Sequence, residues 1–224
     1  MRCFAIGDVH GCANALRLLD EKLGFNSADT VVMLGDYVDR GPDSRGVIEH
    51  ILDLRTRCHL ITLRGNHEVM MLAAREDPAA LQNWLTYGGD AALESYHARS
   101  PSDIPENHWE FLRSTVRYHE EANDFFVHAG ADPTLPFSDQ PDDILYWKCF
   151  ENPLPHISGK RLVCGHTSQK SGNIDDRGHS VCIDTFAHGG GWLTCLDVNA
   201  NQFWQASEGG DLRDGGLPPR SLNP

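Results

Sequence analysis

Five short stretches of this chain carry side chains that bind metal ions or move protons, and each follows an apolar run. Gly35-Asp36-Tyr37-Val38-Asp39-Arg40-Gly41 sets two carboxylates and a guanidinium between glycines, directly after Val31-Val32-Met33-Leu34. Gly7-Asp8-Val9-His10-Gly11 follows Cys3-Phe4-Ala5-Ile6, and Gly65-Asn66-His67-Glu68 follows Leu60-Ile61-Thr62-Leu63. His128-Ala129-Gly130 follows Phe125-Phe126-Val127, and Gly165-His166-Thr167 follows Leu162-Val163-Cys164. One Gly-Asp after a strand is ordinary turn chemistry. Its recurrence argues for five strands that deliver ligand-type residues at their ends, where open α/β sheets bind ligands.

Carboxylate, imidazole and amide ligands without thiolates suit a divalent ion of intermediate hardness, such as Mn²⁺, Fe or Zn²⁺. Asp8 and His10 alternate along one extended loop, so both can face one ion. Asp36 arrives from the adjacent strand with two oxygens. If it bridges, a second ion sits about 3.5–4 Å from the first, held further by Asn66, His128 and His166. Such a pair clamps phosphoryl oxygens and lowers the pKa of a water between them, so that hydrolysis needs no side-chain nucleophile.

The elements that must hold these loops read as βαβαβ at the start. Residues 3 to 6 are a strand, Ala15, Leu16, Leu18, Leu19 and Leu23 form a helical stripe closing at Gly24, and Val47, Ile48, Ile51, Leu52 and Leu54 form a second stripe after Pro42-Asp43-Ser44. The expected class is α/β, opening with a parallel sheet. Residues 69 to 123 show helical periodicity broken at Pro78, Gly88-Gly89 and Pro101 to Pro105, and are expected to form a helical insertion walling one side of the site. Residues 131 to 160 read as a long loop, interrupted by Ile144-Leu145-Tyr146-Trp147, of a length that is usually functional. Residues 117 to 127 are expected to hold two short strands split by Ala122-Asn123-Asp124, and further strands are expected at 161–164, 180–184, 192–198 and 202–205. The domain is drawn as 1–207, with 208–224, rich in Gly, Pro and Asp, as a flexible tail.

At 224 residues the chain fits one sizeable core. Its formal charge of −13 and pI near 5.2, with no Lys/Arg run, exclude nucleic acid and anionic membranes as expected partners. An anionic substrate would then be drawn by bound cations rather than by net charge. The 7 cysteines lack any Cys-x-x-Cys pair and read as reduced, mostly buried thiols. With the first motif almost at Met1 there is no room for a signal peptide, and the expected compartment is the cytoplasm.

In that order, Gly-Asp-Val-His-Gly, Gly-Asp-Tyr-Val-Asp-Arg-Gly, Gly-Asn-His-Glu, His-Ala-Gly and Gly-His-Thr resemble the calcineurin-like metallophosphoesterases. More narrowly, they resemble the phosphoprotein phosphatase family of serine/threonine phosphatases, with its bacterial and phage lambda members. The resemblance spans residues 2 to about 198 and implies a β-sandwich flanked by helices with a binuclear centre at its edge. It implies Asp8, His10 and Asp36 on the first ion, and Asp36, Asn66, His128 and His166 on the second. It further implies His67 as general acid oriented by Asp39, and Arg40 as phosphate clamp. A carboxylate partner does keep an imidazole protonated near neutral pH, and a guanidinium fork does suit two phosphoryl oxygens. The resemblance also implies Asn66 and His67 beside the phosphate.

Three departures qualify the match. Gly165-His166-Thr167-Ser168 lacks the second histidine of Gly-His-x-His, and Gly-Asn-His-Glu replaces the Gly-Asn-His-Asp of related diadenosine tetraphosphate hydrolases; both point to the phosphoprotein phosphatase branch. Tyr146-Trp147-Lys148-Cys149 lacks the family's second phosphate-binding arginine, leaving Lys148 as a point charge in its place. The expected activity is that of a phosphomonoesterase using two divalent ions, Mn²⁺ foremost, on a phosphoprotein or small phosphomonoester. The alternatives are a dinucleoside polyphosphate or nucleotide hydrolase, with Trp84, Tyr87 and Trp109 as a base-stacking surface, and a phosphate-binding protein with dead chemistry. Arg64 is expected to pair with Glu68 or another acid, and His188 to belong to a flexible turn near the site mouth.

Overall fold

The computed structural model of the protein describes residues 2–219. Its apolar runs form strands buried on both faces, which a continuous rather than alternating pattern demands. β1 (Cys3–Ile6), β2 (Thr30–Met33) and β3 (His59–Thr62) pair in parallel, with Ile6 opposite Met33 and Met33 opposite Thr62. The crossovers are α1 (Ala13–Leu23) and α2 (Ser44–Leu54). α1 ends at Gly24, whose left-handed φ of 58° lets its N–H reach the Asp20 carbonyl; α2 begins at Asp43, whose carboxylate accepts the Gly46 N–H.

The helical segment follows as α3 (Asn66–Glu76), α4 (Pro78–Trp84), a wide turn over Leu85–Gly89, α5 (Asp90–Ser95) and α6 (Glu106–Ser114). Next come β4 (Tyr118–Glu120), β5 (Asp124–Val127), α7 (Asp142–Trp147), β6 (Arg161–Cys164), β7 (Asp175–Asp176) and β8 (Ser180–Cys182). β9 (Asp184–Thr185), β10 (Trp192–Asp197), β11 (Gln202–Ala206) and β12 (Leu212–Gly216) complete the described chain. One sheet runs β12-β11-β10-β1-β2-β3 with β9 also on β10; the other runs β4-β5-β6-β8-β7.

The two sheets face each other across Ala5, Val32 and Leu196 on one side and Phe126, Val163 and Val181 on the other. Alternate residues point outward: Phe4, Ile6, Val31 and Met33 meet α1 and α2, while Phe125, Val127 and Leu162 meet Leu145 and Tyr146 of α7. This is the helix-flanked sandwich expected from the motifs, and all five ligand-bearing loops leave strand ends.

Three boundaries differ from expectation. Helix begins at Asn66 rather than 69, because Gly65 and Glu68 start it, while Tyr118–Glu120 and Asp124–Val127 are the two strands expected within 117–127. The expected strand 180–184 divides at Ile183, where the chain leaves one sheet for the other. The expected tail is ordered as far as it is described: Leu212–Gly216 pairs antiparallel with β11. The Glu208 carboxylate accepts the Ala15 N–H at the start of α1, and Arg213 lies 4.3 Å over the Trp192 ring. These residues are held by a backbone ladder and by charge, so their polar composition misleads. Residues 220–224 of that tail lie outside the described residues.

The ends of β2 and β3 are joined by Tyr37, fully buried, whose hydroxyl sits 2.6 Å from the Leu63 carbonyl. Tyr37→Phe keeps the ring and removes that hydroxyl. It should lower stability by about 1–2 kcal/mol, seen as a lower urea midpoint at unchanged slope; an unmoved midpoint would show that the bond holds nothing.

Candidate metal centre

The first two ligand loops are clipped together by backbone. The Val9 and His10 N–H groups both donate to the Asp36 carbonyl, at 3.0 and 2.8 Å, and Gly11 donates to Tyr37. Such close approach excludes side chains: a Cβ on Gly41 would lie 1.9 Å from the His10 carbonyl oxygen, and one on Gly65 2.1 Å from Asp36 Oδ1. His10, Asp36, Asp39, Arg40 and His166 all hold left-handed φ between 43° and 72°, a strained conformation for residues with a Cβ. The turns so formed aim their side chains at one point.

Asp36 lies at the centre. Its Oδ2 is 3.4 Å from His10 Nε2 and its Oδ1 3.4 Å from His128 Nε2. His128 Nε2 is also 2.9 Å from Asn66 Oδ1 and 3.2 Å from His166 Nδ1. The imidazoles are held from behind: His10 Nδ1 donates to the Val38 carbonyl, His128 Nδ1 to that of Leu34, and the His166 ring bonds the Trp147 backbone. Each therefore turns a lone pair inward, that of His10 toward Arg40 Nη1 as well as Asp36. Burial pushes His128 down to about 4 and lowers His10 and His166 in spite of Asp36. Burial would raise Asp36, but the imidazoles of His128, His67, His10 and His166 hold it below the carboxylate range. Lone pairs facing one another this closely repel unless a cation or proton lies between them, so the donor set fits a metal. Two groups of donor atoms meet within 4.8 Å, His10 with Asp36 and His67, and Asp36 with His128 and His166; Asp36 belongs to both.

Two expected ligands make other contacts in this structure. The Asp8 carboxylate accepts the His166 N–H, with burial, Asp184 and Asp36 all raising its pKa, and it lies outside both converging groups. His10 Nε2 sits 3.0 Å from Arg40 Nη1, a bond that must open before His10 can hold an ion. Lys148 is exposed, its ammonium 3.3 Å from the Ala131 carbonyl.

His67 Nδ1 lies 2.6 Å from Asp39 Oδ2, and both residues are fully buried. Asp39 is steadied by the Trp84 indole, 2.9 Å from both its oxygens. Burial opposes a charge on His67, but Asp36 and Asp39 outweigh it and raise its pKa. Its Nε2 is buried and without a partner among the described residues. A proton held at an unpaired nitrogen is what a general acid presents.

Several contributors are not legible in spacing. Asp184, on β9, lies against Asp8 while accepting from Ser168 and the Phe186 N–H. His188 packs edge-on to His10, ring centres 4.7 Å apart, and its half-buried ring is pushed down to about 4 by burial and Arg40. The turn expected to be loose is fixed, with Gly189 and Gly191 both donating to the Phe186 carbonyl. Arg64 does not meet Glu68: it reaches Thr115 and the Arg113 carbonyl, while Glu68 accepts the backbone N–H of Gly65, Asp36 and Tyr37. Of the proposed stacking surface, Trp84 and Trp109 are wholly buried and Tyr87 is 51% exposed.

Burial keeps folded His128 neutral to about pH 4, whereas the unfolded residue titrates near 6.5. Its contribution to stability is complete above 6.5 and is lost as the pH falls from there toward 4, because the unfolded chain alone takes up the proton. The urea midpoint of metal-free protein should fall across that window, and less steeply in His128→Asn; equal slopes would show that His128 is not the titrating group.

The chain is similar to several known proteins. The chain is 30% identical over 134 residues to a symmetrical bis(5'-nucleosyl)-tetraphosphatase of Pseudomonas fluorescens (strain SBW25), covering 59% of this chain and 44% of that one. The chain thus spans under half the length of that relative. With the protein of the same name from Actinobacillus pleuropneumoniae serotype 3 (strain JL03) it is 25% identical, across 88% of this chain and 95% of the other. The cold-active protein-tyrosine phosphatase of a psychrophilic Shewanella species superposes with a TM-score of 0.68 at 19% identity, over 95% of this chain and 80% of that one, a likeness of fold. No helix among the described residues is long and apolar enough to cross a membrane. Residues 1–189 match the family model for calcineurin-like phosphoesterases, and with most of its length so matched the chain belongs to that family.

Proposed function

We propose that this protein is a metal-dependent hydrolase of phosphate linkages whose substrates are dinucleoside polyphosphates. The observation that carries the reading is Asp36 shared by two converging donor groups, in one of which His67 Nε2, without a hydrogen-bond partner, lies 4.0 Å from Asp36 Oδ2. Asp36 would join two sites, His10 and Asp8 serving one and Asn66, His128 and His166 the other. Divalent ions held there, Mn²⁺ foremost, would polarise the phosphoryl oxygens and raise the acidity of an attacking water. Arg40, released from His10, would grip the phosphoryl group with its planar fork. His67, kept charged and oriented by Asp39, would give its Nε2 proton to the leaving oxygen as the P–O bond breaks. The intact His67–Asp39 pair argues against dead chemistry.

The named relatives support the substrate class, and one structural reason removes an objection to it. Glu68 was read as a mark of the phosphoprotein branch, yet its carboxylate is spent on three backbone N–H groups and turned away from substrate. Glutamate here reports on loop architecture, not on what is hydrolysed. Phosphomonoesters, phosphoproteins among them, are the second reading, favoured by the missing histidine after His166-Thr167.

A panel of diadenosine tetraphosphate, phosphopeptides and p-nitrophenyl phosphate, with each metal supplied after chelation, tests this. The tetraphosphate should show the highest kcat/KM with Mn²⁺ and yield two nucleoside diphosphates, the products of symmetric cleavage. A preference for phosphopeptides would overturn the substrate class. His67→Ala should lower turnover of an alkyl phosphate about 10²–10⁴-fold, and that of p-nitrophenyl phosphate much less, with metal content unchanged. Equal losses on the two esters would remove His67 from proton transfer.

A further inference from the structure

A cavity of about 350 Å³ opens beside the metal centre, in the long segment between β5 and β6. Its walls are anchored to the ligand loops on two sides. Ala129 and Gly130, at its rim, directly follow His128, while the far wall is tied to the next loop by the His166 bond to Trp147 and by Phe150 N–H donating to Thr167 Oγ1 at 2.8 Å. Lys148 stands at the junction: its stem packs on Gly130, where an added Cβ would lie 3.2 Å from it. The cavity lining includes apolar surface from Phe150, Pro153 and Leu154, of which Leu154 is 67% exposed. Glu151 and Asn152 add a carboxylate and an amide to the same lining.

We propose that this cavity binds the nucleoside at the end of the substrate's phosphate chain, with Lys148 meeting the phosphates between the metal centre and the base. The inference rests on the dinucleoside polyphosphate reading and says where the leaving half is held. A base is a flat apolar plate with a hydrogen-bonding edge. Phe150, Pro153 and Leu154 supply the faces, and the Asn152 amide, which both donates and accepts, supplies a partner for the edge. The volume lies in the range of small-molecule sites, about 300–1,000 Å³. The charge also fits, since Lys148 lines the cavity with its stem against Gly130, two residues after His128. A phosphoserine, short and followed by backbone, gives this apolar space nothing to hold.

Cys149 lines the cavity and is the one exposed cysteine among the described residues, so its alkylation reports occupancy without any turnover. Full-length Mn²⁺-loaded protein is treated with N-ethylmaleimide and the Cys149 peptide followed by mass spectrometry. Adenosine monophosphate should slow labelling roughly tenfold when supplied at about ten times its dissociation constant, as mass action requires. Orthophosphate, which reaches the metals alone, should leave the rate within about twofold. In Leu154→Asp, at an exposed position where the fold is not at stake, the nucleotide should no longer protect although orthophosphate still binds. Protection by orthophosphate equal to that by nucleotide, no protection by nucleotide, or full protection in Leu154→Asp would each overturn the assignment. The two readings fail separately: protection without tetraphosphate hydrolysis refutes the substrate class, and hydrolysis without protection refutes the cavity.

Discussion

The site depends on the Glu68 carboxylate. It accepts the N–H groups of Gly65, Asp36 and Tyr37, each at 2.8 Å, in a place with no exposure to solvent. One side chain thereby fastens the loop after β2 to the first turn of α3, fixing the relative position of Asp36, which leaves the first, and Asn66 and His67, which lead the second. Burial and the neighbouring Asp36 charge push the Glu68 carboxyl up to about 7, and three converging N–H dipoles are what oppose them. Aspartate, one methylene shorter, does not span the same three donors.

Around that anchor, the sandwich bears the cost of a strained edge. Strands buried on both faces are rigid platforms, and left-handed turns at His10, Asp36 and His166 persist because their flanking strands leave them no room to relax. Repulsion among facing lone pairs adds to this strain. The centre resembles a loaded frame whose tension a bound cation would relieve, which couples metal uptake to the rigidity of the loops.

Much of this was legible in the sequence because it obeys short-range rules. Continuous apolar runs followed by Gly-Asp or Gly-Asn located the strands and the candidate ligands at their ends, while the sandwich edge and the His67–Asp39 pair were implied by the family resemblance that those motifs carry. What escaped depends on contacts distant in sequence or on the backbone. Asp184 sits in a stretch with no ligand spacing and reaches the site because the chain changes sheets at Ile183, and the His188 turn, expected near the mouth, is fixed rather than flexible because Gly189 and Gly191 both donate to the Phe186 carbonyl. The hairpin at Leu212–Gly216 is polar because its order comes from pairing with β11 and from Glu208 at the start of α1. Arg64 precedes Glu68 by four residues, a spacing that suggests a pair, yet the helix directs Glu68 back to its own N-terminus and leaves Arg64 to Thr115.

The helical segment touches the chemistry at two points, the Trp84 indole on Asp39 and the Gly88 carbonyl on the Arg40 N–H, at 3.1 Å. Gly88 holds a φ of 107° and its α-carbon faces the Arg40 side chain, so no other residue fits there. An indole and a glycine thus act as the plug and socket of an exchangeable module. Helices of other lengths could be spliced between α3 and β4 over evolutionary time, remodelling whatever approaches the mouth, while those two contacts keep the acid and the clamp in place.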